Sequence, residues 1–240
     1  MKSQFVKDIQ EIIAKKYETD VLHILNGGCM LEKFEKNNWC IEKHTYTSFN
    51  EAMCWGESAT DIFSDDFVEK RVKSLNSTVE QYREIVLNPL KPLFQNNFNA
   101  IVLWFGEDMF CQINMLTILA FLEQINFGGE VLFYMVIEHT EDIIPNAFEI
   151  NIKGSLQRYK KIVCNSKMPE ENLMPVMQEA VERYLTYRDK DSEISTFIIE
   201  HINEEENILI GNLLRNFQNY GLGDLQYRML IMDIKYSMGD

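Results

Sequence analysis

Ile101-Val102-Leu103-Trp104-Phe105 is a short apolar run that ends, one residue later, in two adjacent carboxylates, Glu107 and Asp108. A longer stretch, apolar nearly all round, begins at Phe110 and continues to Asn126. The first has the length of a strand covered on both faces, and the second the length of a buried helix. A buried strand that leads straight into a buried helix restricts the chain to a layered α/β architecture. It also delivers two acids to the carboxyl end of a strand, where open α/β sheets hold their ligands.

The surrounding sequence repeats this alternation. Phe5, Ile9, Ile12 and Ile13 recur at helical spacing and predict an amphipathic helix over 3–17. Val21 to Leu25 reads as a buried strand, Asn26-Gly27-Gly28 as a turn, and Cys29 to Asn37 as a helix. A further strand is expected over Cys40–Tyr46, an irregular segment over Thr47–Asp66, and helix over 66–88 before Pro89 and Pro92. Strands over Asn99–Phe105 and Glu130–Ile137 bracket the buried helix, which stops at Gly128-Gly129. The expected fold is α/β: a mostly parallel sheet with flanking helices, a Rossmann-like layer with right-handed crossovers. Beyond residue 153 helices are expected over 154–165, 169–188, 192–203, 205–219 and 223–238, with Pro169 near a helix start. The expected organisation is an α/β domain over 1–150 and an all-helical C-terminal subdomain over 151–240.

Charge narrows the partners. Thirty-seven acids against 23 bases give a net charge of -14, which opposes nucleic-acid phosphates and anionic membranes alike. The C-terminal helix pair could be taken for a DNA-reading motif, but it carries more acids than bases. No window reaches the roughly 18 uninterrupted apolar residues of a membrane helix. The five cysteines form no CxxC pair, and their odd number and apolar neighbours point to reduced thiols in a cytoplasmic protein with no metal centre. The first 17 residues lack the continuous apolar core of a signal peptide.

Three constellations could carry chemistry. His23 with Asn26-Gly27-Gly28 has the strand, glycine turn, helix arrangement that presents backbone N–H groups to an anion. The competing reading is a tight turn with a buried, hydrogen-bonded His23. GxGxxG and P-loop motifs are both missing, so no cofactor is named. Trp104, Glu107, Asp108 and Gln112 form the second group; its acids could act as a base, hold a hard cation or bind ribose hydroxyls. The competing reading is that Asp108 caps a helix, which accounts for one acid but not for Glu107 and Gln112. The third is the loop Asn50-Glu51-Ala52-Met53-Cys54-Trp55-Gly56-Glu57, which could close over a site. Arg71 could serve it by binding an anion, or could simply pair with an acid. No neighbouring base would activate Cys54.

These segments resemble the bacterial family known as domain of unknown function 1835. The resemblance rests on His23-Ile24-Leu25-Asn26-Gly27, the 50–57 loop, Arg71 and Leu103–Gln112, within residues 21–137. The family's Trp-Phe-x-x-Asp-x-x-x-Gln motif falls on Trp104, Phe105, Asp108 and Gln112. Gly221-Leu222-Gly223-Asp224-Leu225 is similar to the tails of some members. The chain departs at Gly28, where the family usually carries Asp. The resemblance implies a shared site and brings no established activity with it.

Two functions follow as expectations. In the first, His23, Asn26, Gly27, Asn50, Glu51, Arg71, Trp104, Glu107, Asp108 and Gln112 converge on a small polar or anionic metabolite, a nucleotide or sugar phosphate, at the sheet edge. In the second, the chain is a regulatory or interaction protein whose helical third offers a partner or homodimer surface, marked by an exposed apolar patch.

Overall fold

The computed structural model describes residues 3–137, 142–144 and 147–238. In chain order, α1 (Ser3–Lys16) leads into β1 (Val21–Asn26), α2 (Gly28–Lys36) and β2 (Thr45–Phe49). Then α3 (Asp65–Ser74), α4 (Val79–Tyr82, continued by a π-helical turn) and α5 (Lys91–Gln95) carry the chain to β3 (Ala100–Gly106). After α6 (Met109–Gln124) come β4 (Glu130–Ile137) and two short strands, β5 (Asp142–Ile143) and β6 (Phe148–Glu149). The remainder is α7 (Ser155–Tyr159, again with a π-helical turn), α8 (Pro175–Thr186), α9 (Glu193–Glu200), α10 (Glu206–Asn216), a 3₁₀ turn over Gln218–Tyr220, and α11 (Asp224–Met238).

The strands run β2-β1-β3-β4 in parallel. Both β5 and β6 pair antiparallel with β4, at opposite ends of it. The expected mostly parallel sheet with flanking helices is therefore the observed one. Alternation sorts the strands' side chains onto two faces. Val21, Leu25, Val102 and Trp104 pack beneath α1 and α2 with Ile9, Ile13 and Phe34. Leu22, Ile24, Leu103 and Phe105 pack on the other face with α6. Burial on both faces is why these strands read as unbroken apolar runs.

The helix α6 is the middle layer on that second face. It contacts α7 and α8 on its far side, and its buried residues run from Met109 to Leu122 with no polar stripe. Leu213, Tyr227 and Ile231 from the C-terminal helices belong to the same core as Leu22 of β1.

Three expectations are corrected by local chemistry. The strand expected over Cys40–Tyr46 begins at Thr45. The residues before it form a turn, in which His44 donates its backbone N–H to the Ile41 carbonyl and Ile41 donates its own to the Tyr46 hydroxyl. The helix expected over 66–88 is broken after Ser74, because Asn76 takes a left-handed conformation (φ 49°). Thr78 then starts a new helix with a capping box to Gln81. The helix expected over 169–188 begins at Pro175, in the first turn where a missing N–H costs nothing; Pro169 lies in the irregular segment before it.

Candidate functional site

Because the chain moves outward from β1 to β2 in one direction and on to β3 and β4 in the other, the switch point lies between the carboxyl ends of β1 and β3. Asn26 and Gly27 end β1 there, and Gly106, Glu107 and Asp108 end β3.

Two of the ten candidates lie elsewhere. His23 and Trp104 point to the opposite face, beneath α1, and both are fully buried. Trp104 donates its indole N–H to His23 Nδ1 at 3.0 Å. His23 Nδ1 is therefore the acceptor and Nε2 carries the hydrogen. Nε2 then donates to His44 Nδ1 at 3.0 Å, and His44 Nε2 donates to the Tyr17 carbonyl at 3.1 Å. Two neutral imidazoles satisfy this relay completely. Burial, followed by the electrostatic opposition of the neighbouring His44 to a second protonated ring, pushes the His23 pKa well below its usual value. His23 is the buried, hydrogen-bonded histidine of the plainer reading.

Three others, Asn26, Glu51 and Arg71, belong to one hydrogen-bonded scaffold, and Asn50 and Gly27 lie beside it. Arg71 and Glu51 are both fully buried and pair at 2.9 Å. Arg71 Nη2 also reaches the Ala52 carbonyl at 2.9 Å, while Nη1 donates to the carbonyls of Trp55 and Glu57 at 2.5 and 3.0 Å. Glu51 accepts further from the Ala52 N–H and the Tyr82 hydroxyl. The guanidinium thus pins the 51–57 loop from beneath. Asn114 Nδ2 joins the Glu51 carbonyl (2.6 Å) to Asn26 Oδ1 (2.9 Å), and Asn26 Nδ2 donates to Cys111 Sγ at 2.8 Å. Asn50 donates to the Ile85 carbonyl. The scaffold brings β1, the loop, α3 and α6 together. Its charged members face one another, so Arg71 takes the ion-pair role. Gly27, at φ 93°, caps α2 without a side chain, as the turn requires.

The remaining three differ because they are not satisfied. Asp108 Oδ1 caps α6 by accepting from the Cys111 N–H at 2.8 Å. Its Oδ2 is buried and has no partner among the described residues, and the same holds for Glu107 Oε2 and Gln112 Oε1. Gln112 uses its amide N–H on the Gly106 carbonyl at 2.6 Å. Capping explains one oxygen of Asp108 and leaves the other open. Burial raises the Asp108 pKa; its bonds from Cys111 oppose the rise and the charge of Glu107 adds to it. Gly221 lies directly against this carboxyl group: a Cβ there would fall 2.0 Å from Oδ1.

Glu107 and Asp108 line a cleft of about 250 Å³, with Val176, Glu179 and Arg183 of α8 and Gln218 and Asn219 of the 3₁₀ turn completing it. Sequence reasoning missed these roof residues. Arg183 and Glu179 stand four apart on a helix and read there as an ordinary surface pair; they contact at 3.3 Å. Asn114 and Tyr82 were missed too, since an isolated Asn or Tyr carries no signal in sequence. Among the described residues no group of three or more His, Cys, Asp or Glu side chains is placed to hold a metal ion.

A second cavity, about 550 Å³, lies under the 54–58 segment of the loop and is lined by Cys54, Lys70, Cys164, Tyr184 and Arg188, among others. Burial pushes the Cys54 thiol up to about 12, so it is not poised as a nucleophile.

The chain matches no protein-family model and no curated protein. The site's meaning therefore rests on its geometry.

Proposed function

We propose that the chain binds a small polar metabolite at the carboxyl edge of its sheet, in the cleft between the β3–α6 turn and the C-terminal helices. The observation that carries this reading is the pair of buried, unpartnered carboxylate oxygens on Glu107 and Asp108 in the wall of that cleft. Buried polar atoms are nearly always paired, and leaving one unpaired costs about 1–3 kcal/mol or more. A ligand that supplies donors would recover that cost. The neighbouring scaffold of Asn26, Glu51, Arg71 and Asn114 holds the edge rigid, as a preformed site needs. Hydroxyl or amino groups suit these open acceptors better than the expected phosphate does. Arg183 is the one cation of the lining and is outnumbered there by Glu107, Asp108 and Glu179.

The test is a thermal-shift screen with nucleotides, sugar phosphates, free sugars, amines and divalent cations, repeated on Asp108→Asn. A ligand at 100 times its dissociation constant should add about 2.7 kcal/mol of stability. A shift that disappears in the variant supports the reading. Silence across the whole panel refutes it.

One observation favours the interaction reading as a second function. On α11, Leu225, Met232 and Tyr236 are exposed at spacings of seven and four, which places them on one stripe. Light scattering on the purified chain would decide: a dimer that Met232→Glu dissociates supports it, and a monodisperse monomer removes it. Kinship with the family of domain of unknown function 1835 is part of the same proposal, supported by the motif residues at 104, 105, 108 and 112. A cytoplasmic setting is supported by five free thiols, and partners other than nucleic acid by the acidic balance. None of the helices of the described residues is long and apolar enough to cross a membrane.

A further inference from the structure

The cleft's chemistry narrows the ligand beyond polarity, an inference that rests on the reading above. We propose that the group held against Glu107 and Asp108 is a primary ammonium, carried by a small amine or amino-bearing metabolite.

Three observations converge on it. The first is the count of partners. Glu107 Oε2 and Asp108 Oδ2 are acceptors, both buried and both open, in the wall of the cleft, and Gln112 Oε1, open as well, lies one helical turn beyond Asp108 without lining it. An ammonium has three donors and no lone pair. A hydroxyl brings one donor and two lone pairs, and those lone pairs would face carboxylates. The second is charge. Glu107, Asp108 and Glu179 oppose Arg183 alone in the lining, and the whole chain carries -14, so the cleft concentrates cations. The positive charge of a ligand would also relieve the cost of two adjacent acids, one of them only 4% exposed. The third is size and shape. At about 250 Å³ the cleft is smaller than the roughly 300–1,000 Å³ typical of pockets for drug-sized ligands. Val176 supplies an apolar surface for a short carbon skeleton. A bare divalent cation fits less well, because no group of three or more His, Cys, Asp or Glu among the described residues is placed to share it.

Arg183 extends the inference. Its contact with Glu179 is a single one, at 3.3 Å, and the two side chains are 28% and 66% exposed. Such a pair is exchanged at little cost. The guanidinium fork is then free to meet a carboxylate on the same ligand, so an amino acid should bind more tightly than a plain amine of similar size.

Calorimetry on the full chain with matched pairs tests this: glucosamine against glucose, ethanolamine against ethylene glycol, and alanine against lactate. Within each pair an ammonium replaces a hydroxyl. Binding by the amino members and not by their partners is expected. Asp108→Asn should weaken it about tenfold or more, the scale of a lost charge-assisted bond. Glu107→Gln makes the same demand at a position that caps nothing, which keeps the test alive if the first variant unfolds. Equal binding of glucose and glucosamine would overturn the ammonium and leave the polar-metabolite reading standing. Amine binding unchanged in both variants would mean general attraction to an acidic surface, and would also overturn it. Failure of every probe here and in the thermal-shift panel would overturn both.

Discussion

Replacing Arg71 with methionine isolates what the buried ion pair does. The side chain is fully buried and makes four hydrogen bonds, one to the Glu51 carboxylate and three to the carbonyls of Ala52, Trp55 and Glu57. Methionine fills much of the same volume and supplies none of them. Glu51 would remain in the core with only the Ala52 N–H and the Tyr82 hydroxyl as donors. Breaking a buried pair by removing one partner costs about 3–5 kcal/mol, because an uncompensated charge stays behind. In a chain of this length each kcal/mol lowers Tm by roughly 2–4 °C, so the expected fall is roughly 6–20 °C. Glu51→Gln, which removes the charge and keeps the shape, should cost less. The double variant Glu51→Gln/Arg71→Met should be more stable than the sum of the single losses by about 1–3 kcal/mol. Urea denaturation of the four proteins at pH 7 measures the cycle. A loss under about 1 kcal/mol for Arg71→Met, or additivity within about 0.5 kcal/mol, would show that the guanidinium is not the clamp of the 51–57 loop.

Three more outcomes are expected. Gly221→Ala places a Cβ 2.0 Å from Asp108 Oδ1 at a residue with φ 63°; overpacking and the left-handed backbone together should cost about 2–4 kcal/mol in denaturant unfolding. The depressed His23 pKa means that the unfolded chain takes up a proton first as pH falls below about 6.5, so stability is full above that pH. It should decline below it by up to about 1.4 kcal/mol per pH unit. A flat Tm between pH 7 and 5.5 would contradict the neutral relay. Gly28→Asp should raise stability by about 0.3–1 kcal/mol, since the first turn of α2 holds no acid and a Cβ at 28 meets only Asn50 Oδ1, at an ordinary 3.6 Å; a lower Tm would refute it.

How much of this was legible depends on how local the cause is. The strands β1, β3 and β4 and the helix α6 follow from continuous apolar runs, and their observed limits lie within a residue or two of those expected. The strand β2 was displaced because its polar residues Thr47 and Ser48 do not look like a core strand. Both are nevertheless buried, and Thr47 is satisfied by the Pro89 carbonyl, far away in sequence. The strands β5 and β6 are two residues each, too short for any period. At the sheet edge, the sequence singled out the carboxylates at 107 and 108 but could not tell which polar residues are bonded into the scaffold. Glu51 and Arg71 have the composition of a binding site, and only their complete mutual burial shows them closed on each other. Arg183, Gln218 and Asn219 come from a region with no motif, brought over the edge by the packing of α8 and of the 3₁₀ turn on α6.

The helix α6, enclosed on all sides, has a consequence for synthesis. Its partners on the far side come later in the chain, and Ile231 of α11 is still part of its core. During translation this apolar helix leaves the ribosome 107 residues before Ile231 of that core does. At about 5–20 residues per second that interval lasts roughly 5–21 s. For that time the nascent chain presents a sticky helix rather than a finished domain. Chains stalled near residue 150 should therefore be captured by holding chaperones and cut readily by protease within 109–124, whereas full-length chains should resist.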